Sequence, residues 1–177
     1  MFVAFACCAG AGARAQGTHT WTDIDCAQLR IPAAIGLKCR GLNYAGISAY
    51  VTDSGGTFRQ SNASGTINKV KLFYVLFETT SLQSSVGTRS TLPETLKASA
   101  PQAKAATNFS ELMTRDGVDF VTFTGVAGDA CIGVRRLGTA RLAGYKWIVY
   151  ATRCVSAKTP VPDADIAAFI ASTKPSS

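Results

Sequence analysis

The sequence has one histidine, His19, and no two cysteines are spaced as C-x-x-C. A Ser–His–Asp triad or a Cys–His dyad would therefore have to use this one residue near the N-terminus as its base. The usual ligand spacing of a zinc site is missing for the same reason. The glycine-rich run 125–129 lacks both the dinucleotide fingerprint and the Lys-Ser/Thr of a P-loop. We expect no cofactor and no metal, and no motif identifies an enzyme.

Beyond the N-terminus, the sequence also lacks an apolar run of the roughly 20 residues that a membrane-spanning helix needs. Residues 1–15 read MFVAFACCAGAGARA, a short apolar run that ends in small residues at Ala13 and Ala15. This is typical of a secretory signal peptide and its cleavage site, although no positively charged residue precedes the run. We predict a signal peptide at 1–15 and one exported domain at 16–177, periplasmic or secreted, with no transmembrane segment.

Four cysteines follow the predicted cleavage site, an even number that indicates two disulfides in an exported protein. Three pairings are possible, and we favour Cys26–Cys39 with Cys131–Cys154. The first would close a short loop, and the second would join the two arms of a hairpin. With a two-residue turn at 143–144, Cys131 would lie opposite Ser156, so a bulge would be needed to bring Cys154 into register.

The pattern of apolar residues predicts an α+β fold. Residues 66–79 form the strongest strand pattern, since Lys69 and Lys71 alternate with apolar residues before the run becomes continuously apolar. Further strands are predicted within 37–52, at 57–60 before a turn at 62–65, at 118–124, and in the hairpin arms 130–136 and 145–155. Hairpin connections predominate, so we expect a mostly antiparallel sheet of about six strands with helices packed on it.

Helices are predicted at four places. A short one lies within 22–29, with Thr22 or Asp23 as its cap. Thr91 and Glu94 have the spacing of a capping box, which indicates a helix start. A third helix is predicted at 102–113, with a strand at 109–115 as the competing interpretation. The last is predicted at 164–173.

The C-terminal hairpin has no acidic residue between Ala130 and Pro162, in a chain whose net charge is +7. A cationic stripe of this kind can hold phosphate, uronate or an acidic protein face. Nucleic acid is a poor candidate because the predicted compartment contains little of it. The candidate binding residues are Arg135, Arg136, Arg141, Lys146 and Arg153.

The leading hypothesis is a non-enzymatic binding domain whose basic hairpin engages an anionic envelope component or an acidic protein. One alternative is a small envelope hydrolase that uses Glu78, an acid at the end of an apolar strand. Another is an inhibitor or immunity-type protein that acts in a complex. The sequence alone leaves the oligomeric state open.

Overall fold

The computed structural model describes residues 19–44, 50–51, 57–80, 85–88, 90–156 and 160–176, so the predicted signal peptide at 1–15 lies outside the described residues. The strands are β1 (His19–Asp23), β2 (Lys38–Tyr44), β3 (Tyr50–Val51), β4 (Thr57–Ile67), β5 (Val70–Thr79), β6 (Met113–Arg115), β7 (Val118–Thr124), β8 (Ala130–Leu137), β9 (Ala140–Arg141), β10 (Gly144–Tyr145) and β11 (Trp147–Val155). The helices are α1 (Leu92–Ser99) and α2 (Asp163–Ser172), with short 3₁₀ turns at Cys26–Leu29, Pro32–Ala34 and Pro101–Ala103.

Eight of these strands form one continuous sheet in the order β1-β2-β4-β5-β11-β8-β7-β6, and β3 adds to β4. Every pairing among the described strands of this sheet is antiparallel, where a mostly antiparallel sheet is predicted. The sheet has more strands than the six expected, so the protein is mostly β, and the α+β prediction holds only in outline. Strands β9 and β10 form a separate two-stranded ribbon.

The central strands β5 and β11 have the most continuous apolar runs. Val75, Leu76, Ile148 and Val149 are all almost completely buried. Successive side chains of a strand point to opposite faces, so an unbroken apolar run requires cover on both sides of the sheet. This explains why both runs lie in the middle of the sheet rather than at its edges.

Two apolar cores cover the two faces of the sheet. The α2 face packs Tyr74 and Val149 of the sheet against Phe169 and Ile170 of α2. The α1 face packs Val75, Ile148 and other sheet residues against Leu92 and Leu96 of α1. Because neighbouring residues of β11 enter different cores, a residue's position along this strand decides which helix it faces.

The capping box of α1 is present as predicted. The backbone N–H of Thr91 donates to Glu94 Oε2 at 2.9 Å, and the backbone N–H of Glu94 donates to Thr91 Oγ1 at 3.4 Å. Hydrogen bonds from the backbone and side chain of Thr91 lower the pKa of Glu94. The C-terminal helix was predicted to within one residue at each end.

The predicted helix at 102–113 is wrong. A 3₁₀ turn ends at Ala103, and the backbone of Thr107 then pairs with Thr124 at 3.0 and 3.1 Å. Asn108 has φ 53°, which is incompatible with continuing a right-handed helix. The competing strand interpretation holds for Met113–Arg115, which turns into β7 through Asp116 and Gly117.

Three further boundaries differ from the prediction. The turn predicted at 62–65 is absent, because β4 pairs with β5 without interruption there. The segment 22–29 is not one helix, because β1 extends to Asp23 and Asp25 caps the 3₁₀ turn that follows. The predicted strand 66–79 is divided by a tight turn at Asn68 and Lys69, with φ 50° and 67°, and its first residues belong to β4. Positive φ at both central residues is what a two-residue hairpin turn requires.

Both predicted disulfides are present. Cys26–Cys39 joins the first 3₁₀ turn to β2, and Cys131–Cys154 joins β8 to β11. The expected bulge is absent, because Cys131 lies directly opposite Cys154 in the ladder. The turn lies at 142–143, one residue earlier than predicted, and this moves the register by two residues. Two disulfides fit an oxidising compartment.

Candidate binding site at the hairpin tip

Arg135 lies on the α1 face of β8 and forms an ion pair with the adjacent strand β7. Its Nη2 and Nε donate to Asp119 Oδ2 at 2.6 and 3.1 Å. The Arg135 side chain is only 14% exposed. Most of its charge is therefore compensated within the sheet.

Arg136 points to the opposite face, as its adjacent position in a strand requires. Its Nη2 donates to the carbonyl of Ile170 at 2.7 Å, and its Nε donates to Thr173 Oγ1 at 3.1 Å. A guanidinium here satisfies the Ile170 carbonyl near the C-terminus of α2 and complements the helix dipole. Burial lowers the pKa of Arg136, and attraction to Asp116 partly opposes that effect.

Arg153, also on the α2 face, anchors the other end of the same helix. Its Nη2 donates to Asp165 Oδ2 in the first turn of α2 at 2.9 Å. The Arg153 side chain is 18% exposed, and its Nη1 is buried with no acceptor among the described residues. Arg136 and Arg153 thus hold α2 on the sheet from both ends.

Arg141 and Lys146 lie instead on the ribbon that extends the β8–β11 hairpin beyond the sheet. Arg141 pairs with Gly144, and Lys146 donates its backbone N–H to Thr139 at 2.8 Å. Arg141 and Lys146 lie on opposite sides of the hairpin turn, and both line one depression beside its tip. Lys146 is exposed and Arg141 is partly exposed.

The base of the ribbon is fixed by backbone hydrogen bonds on both sides. The Lys146 carbonyl accepts from the backbone N–H and the hydroxyl of Thr79, at 3.0 and 3.1 Å. The backbones of Tyr145 and Val86 pair at 2.8 and 3.0 Å. Trp147 packs against the backbone of Gly138, where a Cβ would lie 2.6 Å from the indole ring. The ribbon thus projects from a well-braced base.

A depression of about 670 Å³ lies beside the tip of the ribbon. Its lining residues are Ser85, Thr139, Ala140, Arg141, Leu142, Ala143 and Lys146. This lining contains two cationic side chains, two hydroxyls and no carboxylate among the described residues. The side chain of Leu142, at the turn, is fully exposed. The arrangement suits an anionic group next to an apolar one.

Sequence reasoning found the two cations but missed Leu142. The sequence predicts the turn at 143–144, one residue too late, so it does not identify Leu142 as an apex residue. The signal that could have identified Leu142 is its position directly after Arg141 and directly before Ala143 and Gly144, among residues of the turn region.

Glu78, the acid of the hydrolase hypothesis, lies at the end of β5 beneath the N-terminal segment. Its Oε1 accepts a hydrogen bond from Arg30 Nη2 at 2.5 Å, and the side chain is 21% exposed. Arg59 is its partner across the ladder. Both of these neighbours are basic, so the contacts shown here supply no second carboxylate for paired acid–base chemistry.

The described part of the chain contains no group of three or more His, Cys, Asp or Glu side chains arranged to hold a metal ion. None of its helices is long and apolar enough to cross a membrane. Comparison with protein-family models, with curated proteins and with solved structures finds no match.

Proposed function

We propose that this protein is an exported binding domain that engages an anionic partner through the tip of the β9–β10 ribbon. The observation that carries the proposal is the depression at this tip, whose described lining includes Arg141 and Lys146 and no acidic residue. Arg135 and Arg153 are engaged with carboxylates, and Arg136 with the C-terminus of α2. None of these three lines the depression, so they are not part of the proposed contact surface.

The local electrostatics support an anionic ligand. The two cations have backbones held by the ribbon and its base, so only their side chains have to be ordered when an anion binds. Preorganised donors lose less conformational entropy than flexible ones. The acid-free stretch of the hairpin also keeps repulsive carboxylates away from the approaching anion.

Heparin chromatography with a salt gradient tests the proposal. Wild type should be retained, and Lys146→Ala and Arg141→Ala should each elute at lower salt, because each removes one cation from the site. Lys104→Ala is the matched control, since Lys104 is exposed and lies after the 3₁₀ turn at Pro101–Ala103, outside the ribbon. If all three variants elute at the same salt concentration, retention reflects net charge alone and the proposal is wrong.

A further inference from the structure

We propose that the anionic partner is a lipid bilayer surface, into which Leu142 inserts while Arg141 and Lys146 contact the headgroups. This inference rests on the anion-binding function proposed above. Among the anionic envelope components and acidic proteins that the charge of the hairpin allows, it selects the lipid surface.

The first observation is the exposure of Leu142. It is 107% exposed, the highest value among the exposed large apolar residues, which also include Val126 at 62% and Leu112 at 55%. A single exposed apolar residue is common on protein surfaces and carries no meaning alone. Leu142, however, lies at the apex of a projecting two-residue turn, where no neighbouring strand can cover it.

The second observation is the distribution of charge around that apex. Arg141 precedes Leu142, Lys146 lines the same depression, and the small residues Ala140 and Ala143 complete the tip. An apolar residue with two cations beside it matches the two layers of an anionic bilayer, with headgroups outside and acyl chains beneath.

The small size of the tip separates a bilayer from the other anionic partners. A stable protein–protein interface buries at least about 1,000 Å², more than a ribbon of six residues presents. A soluble polyanion would bind the two cations without any use for an exposed leucine. A bilayer requires only a few inserted and charged groups for weak, reversible binding.

Co-sedimentation of the full chain with vesicles tests this inference, using phosphatidylglycerol mixed with phosphatidylcholine and, separately, phosphatidylcholine alone. Wild type should bind the mixed vesicles and release them at high salt. Leu142→Ser should reduce partitioning at least about tenfold, the effect of losing a buried leucine side chain. Its retention on heparin should not change. Val126→Ser, which alters an exposed apolar residue in a different turn, is the matched control.

Leu142→Trp adds a spectroscopic readout that does not depend on the strength of binding. Its extra tryptophan emission should shift to shorter wavelength with the mixed vesicles and stay unchanged with phosphatidylcholine alone. Circular dichroism confirms that each variant is folded, which we expect because Leu142 makes no core contact.

The outcomes distinguish the two proposals. If Lys146-dependent retention on heparin persists but the mixed vesicles are not bound, or are bound equally well by Leu142→Ser and Val126→Ser, the bilayer inference is wrong and anion binding stands. If neither heparin nor vesicles respond to Lys146→Ala, both proposals are wrong.

Discussion

Removing the Cys131–Cys154 disulfide should destabilise the protein more than removing Cys26–Cys39. Cys131 and Cys154 are essentially fully buried, at 1% and 0% exposure, and they join β8 to the central strand β11. Their sequence separation is 23, against 13 for the other pair. The larger loop restricts the unfolded chain more, and the deeper burial adds a packing term.

The magnitude follows from these two terms. In the chain-entropy description, loops of these lengths correspond to about 3.5 kcal/mol for Cys131–Cys154 and about 3 kcal/mol for Cys26–Cys39. Replacing a fully buried cysteine by alanine removes one buried sulfur atom and costs about 1 kcal/mol more, similar to one buried methylene. Because Cys26 is only partly buried, this packing loss is smaller for Cys26–Cys39. We expect losses of about 5.5 and about 4 kcal/mol for the two double alanine variants.

Urea unfolding followed by circular dichroism measures both losses, and thermal unfolding provides an independent check. At about 2–4 °C per kcal/mol for a chain of this size, the Cys131→Ala/Cys154→Ala variant should melt roughly 10–20 °C below wild type. The slope of free energy against urea should increase, since the unfolded chain becomes less compact. Equal losses for the two variants, or a larger loss for Cys26→Ala/Cys39→Ala, would refute the reasoning from loop length and burial.

Three further predictions concern the scaffold. Thr91→Ala removes the cap of α1 and should lower the free energy of unfolding, measured in urea, by about 1 kcal/mol. An unchanged free energy of unfolding would show that the cap is redundant. Burial raises the pKa of Tyr74 and Tyr150 above the ordinary tyrosine value of about 10, so these tyrosines ionise first in the unfolded chain. Stability should therefore fall as pH rises above about 10, and a flat unfolding profile there would contradict this. Gly138→Ala should displace Trp147 and alter its fluorescence, and an unchanged spectrum would argue against this close packing.

The elements that were predicted well depend on local signals. The capping box of Thr91 and Glu94 needs only residues three apart, and the acidic first turn of α2 is equally local. The apolar runs of β5 and β11 indicate burial on both faces without reference to any partner. The disulfide pairing followed from loop length and hairpin logic, and it is present in the structure.

The elements that were missed depend on contacts between distant segments. Residues 102–113 contain good helix formers, yet Thr107 and Ser110 pair with β7 because that edge of the sheet offers backbone partners. The register of the β8–β11 hairpin was displaced by two residues because the turn position was inferred from its glycine. Only the paired strands reveal that Leu142 lies at the apex.

The sequence by itself determined that the C-terminal hairpin is cationic and free of acid, and strand alternation required Arg135 and Arg136 to face opposite ways. Tertiary structure alone decided which carboxylates Arg135 and Arg153 contact. Asp119 and Asp165 lie on other elements, and they reach Arg135 and Arg153 only because the sheet and α2 pack together. Ion pairing acts over a few ångströms in space, whereas the sequence records only distance along the chain.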